Sequence, residues 1–173
     1  MRYLVFAAVA AVNLIFANAV FPNINIAGVA PDIIICSTIS IVLLDNSMAG
    51  AWVGLICGLG LDLYTGTIGF YALSYFLAAA FSFFVRRNIY YIDKVILPFS
   101  FAVGAYFVKE TTAALLAYIL DKEFSLASMF IRYILPEAAF TGVFMFLVYF
   151  VMRRVYRIRS VKRKDSEDIK KIL

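Results

Sequence analysis

The sequence contains no histidine. That absence excludes histidine-ligated metal centres, Ser-His-Asp triads and imidazole proton relays together. Charge is also scarce, at 16% of residues, where an average soluble domain carries about a quarter. Cysteine is limited to Cys36 and Cys57, which lie in separate apolar runs with no C-x-x-C spacing. Both read as small packing residues rather than ligands or a disulfide. A phosphate cradle is missing too: Gly58-Leu59-Gly60 has no following Lys-Ser/Thr. No serine stands in a G-x-S-x-G elbow, and no loop carries an acid pair suited to acid–base work on a soluble substrate. No cofactor and no metal are expected.

What remains is apolar. Of 173 residues, 64% are hydrophobic, and the mean hydropathy is +0.91. Composition of this kind signals an integral membrane protein, with no room for a separate catalytic domain. The net charge of +5 is concentrated at one end. From Arg153 onward there are nine Lys/Arg against three Asp/Glu, while the rest of the chain carries seven against eight. This basic tail, 153–173, with Arg153, Arg154, Arg157 and Arg159 at its start, suits anionic lipid headgroups rather than nucleic acid.

The apolar pattern predicts six helices, at about 3–21, 29–48, 48–64, 70–85, 95–120 and 125–152, forming one transmembrane domain over 1–152. The first run also resembles a signal peptide, with Arg2 before it and Ala17-Asn18-Ala19 as a cleavage-like site. A retained helix is favoured, because the apolar run continues past that site. Asn13 and Asn18 are candidates for hydrogen bonds between helices. The second helix opens at Pro31-Asp32, where an acid favours a helix start. Its apolar heart, 33–44, is too short for a full span, so it is either extended by its flanks or sheltered by its neighbours. Pro136 is expected to kink the sixth helix. Lys/Arg placement puts Arg2, Arg86, Arg87, Lys94 and the tail on one side and Lys122 on the other, which makes both termini cytoplasmic.

The chain reads as organised around Gly50–Leu73. Gly50, Gly54 and Gly58 recur every four residues and share one helix face, which lets another helix approach closely. Asp62 continues that face, and Gly66 and Gly69 then turn the chain. Asp62 is either a capping acid at the end of a packing seam or a functional carboxylate. A second constellation is Lys109, Glu110, Arg132 and Glu137, at similar depth on the fifth and sixth helices. Lys109 with Glu137 and Glu110 with Arg132 are the expected pairs, since each charge offsets the other's desolvation. They form a static lock, or a solute or ion site between helices, or in part snorkel to the interface.

One run of motifs resembles a known family. It begins with Ala30-Pro31-Asp32, followed by Gly50, Gly54 and Gly58-Leu59-Gly60-Leu61-Asp62-Leu63. Thr65-Gly66, Gly69 and Ala72-Leu73 complete it. Together these resemble the MreD family of bacterial rod-shape-determining inner-membrane proteins. Chain length, hydropathy and Arg86-Arg87 after the fourth helix fit as well. The specific motifs span about 31–87. One departure is Thr67-Ile68, where the family often has a proline. The resemblance implies an all-α, six-helix membrane fold similar to the substrate subunits of energy-coupling-factor transporters. It also implies a non-enzymatic scaffold of the cell-wall elongation machinery. Its implied partners are an MreC-like bitopic protein and, indirectly, RodA, the elongation transpeptidase and MreB. The alternative function is a substrate-binding subunit of a vitamin-type energy-coupling-factor transporter.

Overall fold

The computed structural model describes residues 2–20, 30–67, 69–88, 96–119 and 134–156. Among them the chain is all-α, with six helices and no strand. We label them α1 (Arg2–Ile15), α2 (Ile33–Asp45), α3 (Ala49–Thr65), α4 (Phe70–Asn88), α5 (Ile96–Ile119) and α6 (Leu135–Tyr156). A π-helical turn, Phe16–Val20, continues α1. Of these helices α6 is long and apolar enough to cross a membrane; Phe6–Ala19, α2 and α3 are shorter apolar helices.

The organising element is α2 rather than α3, which corrects the reading from the glycine seam. All residues of α2 except Ile33 and Leu44 are buried. It packs on α1, α3, α4, α5 and α6, which follow one another around it in the order α1, α3, α4, α5, α6. A helix buried on all sides has no polar face and therefore no amphipathic period to read. Its thirteen residues amount to about 20 Å, so it is the short, sheltered helix of the two alternatives.

Small polar residues let five neighbours approach α2. The Ser37 and Thr38 hydroxyls donate to the Ile34 carbonyl at 3.1 and 2.7 Å, and Ser40 donates to that of Cys36 at 2.7 Å. Each hydroxyl is satisfied by its own helix and adds little bulk. Asn13 of α1 donates to Ser37 Oγ at 2.5 Å, the interhelical bond expected of that residue.

The ends of the helices follow cap chemistry. Asn46 closes α2 in the left-handed region (φ 49°), and its N–H donates to the Val42 carbonyl. Ser47 accepts from the Ala49 N–H at 3.3 Å and donates to the Asp45 carboxylate. Gly66 ends α3 at φ 73°, a conformation nearly free of cost for glycine alone. Pro136 is the second residue of α6 and follows a π-helical residue at 134; the stretch 125–133, on which the expected kink depends, lies outside the described residues.

Candidate functional site

The glycine seam is built inward, between helices of this one chain. A Cβ on Gly50 would lie 2.5 Å from the Thr38 carbonyl oxygen and from Val42 Cγ2, both on α2. On Gly54 it would lie 3.2 Å from the Tyr75 carbonyl oxygen, and on Gly58 2.4 Å from Ala72 Cα, both on α4. Gly60 faces α1, where a Cβ would meet the Leu14 side chain at 2.7 Å. The first three glycines thus seat α3 between α2 and α4. Gly66 and Gly69 have open space around them and serve the turn, both at φ 73°.

Asp62 is the cap of the next helix. Its Oδ1 accepts from the Tyr71 N–H at 3.0 Å and the Thr67 hydroxyl at 2.6 Å, and its Oδ2 accepts from the Ala72 N–H at 3.0 Å. These are orphan amides of the first turn of α4, where a carboxylate is favoured by hydrogen bonding and by the helix dipole. Thr67, the residue that departs from the resembled pattern, is itself one of the ligands of this carboxylate.

The charged centre lies at the N-terminal end of α2. Asp32 caps α2, its Oδ1 accepting from the Ile35 N–H at 3.0 Å. Its Oδ2 accepts from the Tyr75 hydroxyl of α4 at 2.9 Å and from Lys109 Nζ of α5 at 3.0 Å. Its backbone N–H donates to Thr141 Oγ1 of α6 at 3.0 Å. One residue therefore joins four helices. Pro31 beside it is buried as well.

Lys109 is the only cation the described residues place in this cluster. Besides Asp32 it binds Glu110 Oε1 at 2.8 Å. Its ammonium also sits 4.7 Å from the centre of the Tyr106 ring and 5.6 Å from that of Tyr75, within range of the ring quadrupoles. The Lys109 and Asp32 side chains are 9% and 6% exposed, whereas Glu110 is 25% exposed. The ion pair is sealed and Glu110 forms its rim. Glu137 stands in the first turn of α6, half-buried, near Tyr106 and Lys109.

The first of the two expected charge pairs, Lys109 with Glu137, is accordingly replaced. Lys109 pairs with Asp32 and Glu110, not with Glu137. Glu110 pairs with the lysine next to it, and Arg132 lies outside the described residues. Adjacency of α5 and α6 held as expected, but counting depth along those two helices alone overlooked the buried start of α2. Tyr75 and Thr141 were also missed; neither stands in a pattern that distinguishes it from its apolar helix. Arg153 and Arg154 are exposed in the last turn of α6, and Arg157 and Arg159 lie outside the described residues.

Chemically the cluster is a saturated lock. The Asp32 carboxylate spends its oxygens on an amide, a phenol and an ammonium. Compared with known protein families, curated proteins and solved structures, the chain has no match.

Proposed function

We propose that this chain is a six-span protein of the bacterial inner membrane, with both termini cytoplasmic. It acts as a non-enzymatic scaffold of the cell-wall elongation complex, binding an MreC-like bitopic protein and through it RodA, the transpeptidase and MreB. The membrane part is supported by an inverted surface. Asn13, Asp32, Thr38, Lys109 and Thr141 are inside, while Trp52, Leu63, Phe84, Leu147 and Phe150 are between 57% and 87% exposed. Water would favour the opposite arrangement, and lipid favours this one. The helices too short to span a bilayer alone are those the bundle shelters or those its turns extend.

The scaffold part is carried by one observation. Pro31, Asp32, Gly50, Gly54, Gly58 and Asp62, the residues on which the family resemblance rests, are buried and joined to this chain's own helices. They build a rigid body, and what that body offers to others is its outer faces.

The test is a mild-detergent pull-down of the tagged chain from its own membranes, with co-purifying proteins identified by mass spectrometry. A single-pass coiled-coil protein recovered together with wall synthases is the expected result. Recovery of a helical coupling subunit with ATPases would overturn the scaffold reading in favour of a solute-binding subunit, with Glu110 and Glu137 at the rim of its site.

A further inference from the structure

We draw no further inference here: the strongest candidate, the two half-buried carboxylates Glu110 and Glu137 at the rim of the Lys109–Asp32 ion pair on α5 and α6, belongs to the charged centre already described and is an acidic cluster beside which no second observation points to a ligand.

Discussion

Replacing Lys109 by methionine should destabilise the fold by about 3–5 kcal/mol, the cost of leaving one member of a buried ion pair without its partner. Methionine keeps most of the length and the apolar stem, so packing against Tyr106 and Tyr75 is largely retained. What is lost is the ammonium 3.0 Å from Asp32 Oδ2, leaving that buried oxygen with the Tyr75 hydroxyl alone. Glu110 loses the same partner, but at 25% exposure it can turn to a wetter environment. Asp32→Asn should cost less, because the amide oxygen still caps Ile35 and Lys109 still holds Glu110. In the double variant no buried carboxylate remains uncompensated at this point. Its cost should fall below that of Lys109→Met alone, giving a coupling energy of about 2 kcal/mol or more. Reversible unfolding in mixed micelles, followed by circular dichroism, measures all four corners of the cycle. A Lys109→Met chain within about 1 kcal/mol of wild type, or a double variant whose loss equals the sum of the singles, would refute the lock.

The glycines divide into those that are packed and those that are not, and alanine separates them. Gly58→Ala drives a methyl into the Ala72 backbone at 2.4 Å and should cost about 3 kcal/mol or more. Gly104→Ala meets nothing within 4 Å and should be neutral or stabilising by about 0.5–1 kcal/mol, both read as melting temperatures in detergent. Asp62→Ala removes three acceptor contacts from the start of α4. It should cost about 1–2 kcal/mol, with hydrogen exchange accelerated first at the Tyr71 and Ala72 amides. At Asn46, with φ 49°, glycine should be tolerated, whereas valine should cost about 1–2 kcal/mol in the same melts.

Among the described residues the order of the helices was legible in the sequence because most long apolar runs end at a chemical stop. Asp45-Asn46-Ser47, Gly66 and Arg86-Arg87 mark three of them, and the structure places helix ends within a few residues of each. The glycine face was legible for the same reason, since a spacing of four has one meaning on a helix. Which helix lies at the centre was not. Because α3 carries a visible stripe and α2 carries none, pattern reading favours α3, yet the absence of a stripe is what burial on every side produces. The clue available was length. A helix of thirteen residues falls about 10 Å short of a hydrocarbon core about 30 Å thick. On the membrane reading, one end of α2 therefore lies at depth, and that end carries Asp32. Reckoning from it would have set Asp32 level with Lys109 and replaced Glu137 as the partner.

The same contrast bears on where a partner would bind. Of the residues that carry the resemblance, Gly50, Gly54 and Gly58 are consumed in seating α3 on α2 and α4, and Asp32 in tying α2 to its neighbours. With α2 enclosed, contact with another protein falls to the outer faces of α1 and α3 to α6. Those faces present Val12 and Ile15 on α1, Trp52, Ile56 and Leu63 on α3, and Val143, Leu147 and Phe150 on α6. Lipid alone would select apolar residues there, so a partner's choice among them leaves no separate mark in composition or period. On the scaffold reading, then, the motifs report the bundle and the partner surface must be mapped by cross-linking from the outer faces. Contacts concentrated on one face of the ring would identify it. Contacts spread evenly over α1, α3, α4, α5 and α6 would mean that no face of this bundle is a dedicated interface.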